Sequence, residues 1–194
     1  MESYLTPNNN IQASAFISCS LRPEDKPFIE FVERILVAHN ILPFGTVGRY
    51  AAAPENPAFS MRNNIAQADM VVIVATRRYF QLDMKTGLQS NGLSEMIHAE
   101  SGMAFAFNKP VLVFVQEGTD VGCFLPNITQ YITLTGDQND LNEKWHIINS
   151  LLYNSTAIVQ ANRAQKNNSE LGNVVKIGLA LIGAGTLLNS LQER

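Results

Sequence analysis

Short apolar runs alternate with stretches whose apolar residues recur every three or four positions, the pattern of βαβ units feeding a parallel sheet. SAFISCS (14–20) is the first predicted strand. After LRPED, residues Phe28, Phe31, Val32, Ile35, Leu36 and His39 keep helical spacing, with Glu24 and Asp25 in the first turn, where the helix dipole favours acids. NILPF (40–44) is a brief second strand, and GTVGRYAAAPENPAF (45–59), with two glycines and two prolines, reads as a long loop. A short helix over 60–67 leads into DMVVIVAT (69–76), the expected centre of the sheet. RRYFQLDMKTGLQSNG (77–92) reads as a polar connection to a third helix. KPVLVFVQEG (109–118) and QYITLTG (130–136) are the fourth and fifth strands, and Leu141, Trp145, Ile148, Leu151 and Leu152 mark a closing helix over 140–165. The expected fold is α/β, a flavodoxin-like five-stranded parallel sheet with helices on both faces.

The length of 194 residues suits one such domain with an extension at each end. Residues 1–12 form a polar lead-in, 13–165 the domain, and 166–173 (KNNSELGN) a linker. Residues 174–194 form an apolar C-terminal helix for oligomerisation or membrane association. The uncharged run 177–188 is shorter than the roughly 20 residues a bilayer span needs, so close packing between helices and membrane contact through 174–191 both stay open.

With 46% hydrophobic and 16% charged residues and a net charge of -3, the chain has no basic field of the kind that attracts nucleic acid. Cys19 and Cys123 make no disulfide framework, and with His39, His98 and His146 they show no metal-ligand spacing. No metal or resident cofactor is expected, and the N-terminus lacks the pattern of a secretory signal. The reading is a cytoplasmic protein, membrane-associated only if its tail is.

The residue that changes the picture is Glu100. On a helical wheel, Leu93, Met96, Ile97, Ala99, Met103, Ala104 and Phe107 form an apolar stripe with Glu100 in its middle, while Glu95 and His98 lie opposite. A carboxylate on a core-facing stripe must be paired, protonated or placed at a cleft. Arg22 and Arg62 are the arginines weighed as structural partners. SLRPED (20–25) joins strand to helix, where Ser20, Arg22 and backbone N–H groups suit a diphosphate. Phe44, Arg49 and Tyr50 are candidates for adenine stacking or loop-mediated assembly.

On AFISCS, on ILPFGTVGRYAAAPENPAF in the place of a BB loop, on IAQADMVVIVATRRYF, and on Glu100 followed by Ala104 and Lys109, residues 13–160 resemble the bacterial, NAD-cleaving TIR domains. That resemblance implies Glu100 as the catalytic residue, with NAD+ as substrate rather than cofactor. It further implies a role in antiphage signalling, homo-oligomers through TIR–TIR contacts, and a downstream effector that senses the product. Ser18, Ser20, Leu21, Arg22, Phe44, Gly45, Arg49, Tyr50 and Met96 are the implied substrate-binding positions, Met96 standing where many family members carry an aromatic residue. ESGMA followed by KPV also resembles the nucleoside 2-deoxyribosyltransferases, which likewise break an N-glycosidic bond. A non-enzymatic TIR scaffold is the reading from another class. For either enzyme, a fixed carboxylate beside the sugar meets the charge of an oxocarbenium-like ribose.

Overall fold

The computed structural model describes residues 11–50 and 56–169. Its central sheet is formed by β1 (Ala13–Ser18), β2 (Ile41–Phe44), β3 (Met70–Ala75), β6 (Val111–Gln116) and β7 (Tyr131–Leu134). These five strands are all parallel, in the order β2-β1-β3-β6-β7. That is the flavodoxin-like order expected from the alternation of elements. Every residue of β3 is buried because helices cover both faces of the sheet. Pro43 sits in β2, an edge strand, where the lost N–H costs no central ladder bond.

Alternation along the strands divides the core in two. Ala13, Ala15 and Ile17 of β1, with Val72 and Val74 of β3, pack under α1 (Lys26–Ala38) and α5 (Gln138–Ser169). Phe16, Val71 and Ile73 point to the other face, under α2 (Pro57–Gln67) and α3 (Glu95–Ala106). Ser14 and Ser18 share the parity of Phe16. Ser14 is held by Asp69, whose carboxylate accepts from both its N–H and its hydroxyl at 2.7 Å.

Three expectations need correction. The segment 77–92 is an antiparallel hairpin, β4 (Tyr79–Leu82) with β5 (Gln89–Gly92), not a plain connection. Its strands stand off the main sheet, and Phe80 is 69% exposed, so burial left no alternation to read. Helix α2 begins inside the supposed loop, because Asn56 accepts from the Ala58 N–H and Pro57 occupies the first turn, where proline is favoured. The buried line of α3 is Leu93, Ile97, Ser101 and Ala104, while Met96 is 52% exposed and Ala99 is exposed too. Apolar residues surround this helix, so the wheel had no sharp edge, and Glu100 lies beside the core line rather than in it. A short α4 (Phe124–Ile128) also precedes β7.

Contacts divide the chain into Met1–Gln160 and Ala161–Arg194. Among the described residues no helix is long and apolar enough to cross a membrane. The expected apolar helix at 174–194 and the second half of the linker, 170–173, lie outside the described residues, while 166–169 continue α5 instead of forming a linker.

Candidate active site

In a sheet of this order the chain leaves β1 in one direction for β2 and crosses back to β3. The carboxyl ends of β1 and β3 therefore flank a crevice where such folds take ligands. Ser18, the last residue of β1, is fully buried there and donates its hydroxyl hydrogen to Oε2 of Glu100. Glu100 reaches this point from the second turn of α3, a helix whose N-terminus is capped by Ser94 accepting from the Met96 N–H. Lys109, in the turn after α3, donates to the carbonyls of Ala66 and Ala68 at 2.8 and 2.6 Å and so caps the end of α2.

Glu100 keeps partial exposure, yet burial pushes its pKa from the ordinary 4.5 up to about 7, with the Ser18 hydrogen bond acting in the opposite direction. Neither Arg22 nor Arg62 pairs with it, and among the described residues no cation does. A buried carboxylate whose only side-chain partner is a hydroxyl changes charge near neutral pH and lacks a built-in counter-ion. Both properties suit a group that meets positive charge developing on a ligand. Met96 lies one turn before Glu100, on the same side of α3, and offers an apolar surface beside it.

An open cavity of about 360 Å³ adjoins the end of β1, lined in part by Ser20, Leu21, Arg22, Lys26, Gly48 and Arg49. Glu100 is not in its lining. Arg22 is anchored to one side: Nε and Nη2 donate to the buried Asp25 carboxylate at 3.0 Å, and Nη2 donates to the Arg77 carbonyl at 2.6 Å. Pro23–Asp25 form one 3-10 turn ahead of α1, which presents this arginine at the strand end.

The segment after β2 forms the opposite wall. Thr46 donates its hydroxyl hydrogen to the Ile17 carbonyl at 2.6 Å, and Asn64 donates to the Gly45 carbonyl at 2.6 Å. Gly45 has φ +74°, and a Cβ there would lie 2.9 Å from Asn64 Cβ, so glycine is required. Phe44 packs against the α2–α3 side of the core. Arg49 clasps Glu33 of α1 through two parallel bonds, Nε to Oε1 at 2.8 Å and Nη2 to Oε2 at 2.6 Å, and its guanidinium lies 5.5 Å from the centre of the Tyr50 ring.

The structure thus brings Ser18, Ser20, Arg22, Arg49 and Glu100 to one end of the sheet. Ser18 is committed to Glu100, while Phe44 and Gly45 have packing and backbone roles. Sequence reasoning missed Glu33, Asp25 and Thr46. For Glu33 the signal existed: it stands four residues after Ile29 and three before Leu36, both core residues, so it is a carboxylate on an apolar stripe. Cys19 is close by, but burial raises its pKa to about 12, which keeps the thiol protonated and removes it as a nucleophile.

A doubly wound α/β domain with an uncompensated carboxylate at its switch point is the class that fold and site define. No protein-family model matches the chain, and no curated protein matches it. Among solved structures, the fold is similar to the solution structure of BlsM, at 16% identity and a TM-score of 0.50, covering 78% of this chain and 96% of that one. A further match is the Clostridium botulinum CMP N-glycosidase BcmB, at 15% identity and a TM-score of 0.44, covering 69% of this chain and 98% of that one. Identities of this size speak to the fold alone, and neither protein is named as a TIR domain.

Proposed function

We propose that this chain cleaves the N-glycosidic bond of a nucleoside or nucleotide, with Glu100 as the catalytic carboxylate. The observation that carries the reading is the Glu100 carboxylate itself: largely buried, without a cation, and hydrogen-bonded by Ser18 at the carboxyl end of β1. Cleavage breaks the C1′–N bond, and its electron pair leaves with the base. Positive charge develops on the sugar, and the ionised carboxylate stabilises it from one face. Water then supplies the oxygen for the new C1′–O bond and loses a proton, which balances the electron pair carried off by the base and gives the free base and the sugar as products. Ser18 holds the carboxylate and favours its ionised form, Met96 offers an apolar edge to the base, and Ser20 and Arg22 face the cavity that suits a 5′ substituent.

NAD+ contains the same kind of bond. Its adenine end was expected on Phe44, Arg49 and Tyr50, but Arg49 is bound by Glu33 and Phe44 by the core. Those commitments favour a smaller substrate over the dinucleotide.

The test is chromatographic detection of free base or nicotinamide after incubation with nucleosides, 2′-deoxynucleosides, 5′-monophosphates and NAD+, with Glu100→Gln in parallel. Base released from a nucleoside or monophosphate, and lost in the Gln variant, is expected. Nicotinamide release alone would return the assignment to the NAD-cleaving reading. A folded protein inert on the whole panel would reject glycosidic cleavage in favour of a binding scaffold.

A further inference from the structure

Glu33 is buried on α1, among Ile29, Val32 and Leu36, and takes part in none of the chemistry above. Both of its oxygens are bound by Arg49, whose guanidinium lies 5.5 Å from the centre of the Tyr50 ring. Arg49 and Tyr50 are adjacent in sequence, and their backbone N–H groups both donate to the Thr46 carbonyl, at 3.1 and 2.8 Å. Thr46 in turn is bonded to Ile17, next to Ser18. One carboxylate on a rigid helix therefore fixes a turn whose far end rests beside the Glu100 partner.

That turn is one wall of the 360 Å³ cavity, through Gly48 and Arg49, while Arg22 and Pro23 belong to the other. Gly48, at φ +84°, leaves room for Leu21 to approach, since a Cβ would lie 2.9 Å from Leu21 Cδ1. Across the gap the Leu21 side chain approaches the Gly48 backbone, and among the described residues no backbone–backbone hydrogen bond joins 20–23 to 48–49. The Arg49 guanidinium is neutralised by Glu33, so its charge serves the wall more than an anion in the cavity.

We infer that Glu33 is a positioning residue: by holding Arg49 it fixes the turn at 46–50 and sets the cavity width, and so the affinity for the part of the ligand lying away from the scissile bond. The inference rests on the glycosidase reading for its kinetic consequence but not for its structural one. Glutamine at position 33 keeps the shape, loses the charge, and can accept through only one oxygen. Removing an interaction equal in ground and transition states raises KM and leaves kcat alone.

The experiment pairs Glu33→Gln and Arg49→Lys, the latter keeping the charge without the fork. Steady-state kinetics on the substrate found above are combined with amide hydrogen exchange over 45–50. We expect KM to rise about tenfold in each variant with kcat within about twofold, and the Arg49 and Tyr50 amides to exchange at least tenfold faster while β1 amides do not change. Unchanged exchange in both variants overturns the inference. So does a parallel fall in kcat, because a general loss of structure would produce it. If the wild-type chain cleaves nothing, faster exchange confined to 45–50 still upholds the positioning role, and only the glycosidase reading fails.

Discussion

Two glutamates sit on helices of the same domain, Glu33 buried on α1 and Glu100 half-buried beside the core line of α3, and they are treated in opposite ways. Glu33 meets a guanidinium in a two-bond clasp, so its charge is answered within the chain. Among the described residues Glu100 meets only a serine hydroxyl, and its ionisation is left partly uncompensated. A buried carboxylate used for structure is stabilised by a fixed cation, because removing its partner strands a charge in low dielectric. One used for chemistry gains from the lack of that cation, since a permanent counter-ion would compete with the positive charge it is meant to stabilise. On the function proposed for Glu100, the contrast separates a structural carboxylate from a chemical one.

The strongest way to break this comparison is Glu100→Gln. Turnover of the substrate is expected to fall by at least about a thousandfold, equal to about 4 kcal/mol of transition-state stabilisation. Folding should be intact, because the amide fits the same space. The equivalent change at Glu33 should leave kcat nearly untouched. Loss of turnover in both would mean that the two carboxylates act as one unit.

Next in size is the pH dependence of stability. Below about pH 4.5 Glu100 is protonated in both the folded and unfolded chains, and its burial carries no ionic penalty. Between 4.5 and about 7 the unfolded chain ionises first, so folding stability declines as pH rises, then levels off above 7. The shift corresponds to on the order of 3 kcal/mol lost across that window. Urea denaturation of wild type and Glu100→Gln at several pH values checks it: the curves should converge at low pH, and the Gln variant should be the more stable at pH 8.

Smaller again is Arg49→Ala, which strands the Glu33 charge. Complete burial of a broken pair costs about 3 to 5 kcal/mol, and the partial exposure of Arg49 reduces this to about 2 kcal/mol. Calorimetry should show the lower melting temperature, with part of the loss regained in Glu33→Gln/Arg49→Ala, where no charge is stranded. An unchanged melting temperature would make Glu33 as solvated as a surface acid.

The sheet was legible because β3 and β6 carry apolar runs that burial on both faces explains, and β1 keeps apolar residues at 13 and 15–17. Glu100 stood out as a charge among apolar residues, though the structure sets it beside the core line of α3 and exposes Met96 and Ala99. Glu33 broke the same rule in the same chain, but the neighbouring pattern was so regular that its departure passed unweighed. The hairpin was not legible, since Tyr79, Phe80 and Leu82 gain their order from pairing with residues 89–92 and not from a buried face. Arg49 could be placed in the loop from sequence, but its partner could not. The fork depends on how β2 returns the chain toward α1, a tertiary fact that local spacing does not encode.

Ser18→Ala is the smallest of these perturbations and sharpens the comparison most. The hydroxyl donates to the carboxylate and therefore favours its ionised form, so its removal should raise the Glu100 pKa above the present value of about 7. If the ionised carboxylate is the working form, kcat/KM climbs through the wild-type pKa and levels off above it. A hydrogen bond to a charged group is worth about 1.5 kcal/mol, so the rising limb should move to higher pH by about one unit. At pH 6 the variant is then about tenfold slower, while at pH 9 the two enzymes turn over alike. A uniform loss at every pH would instead show that the serine fixes where the carboxylate points, and that its effect on ionisation is secondary.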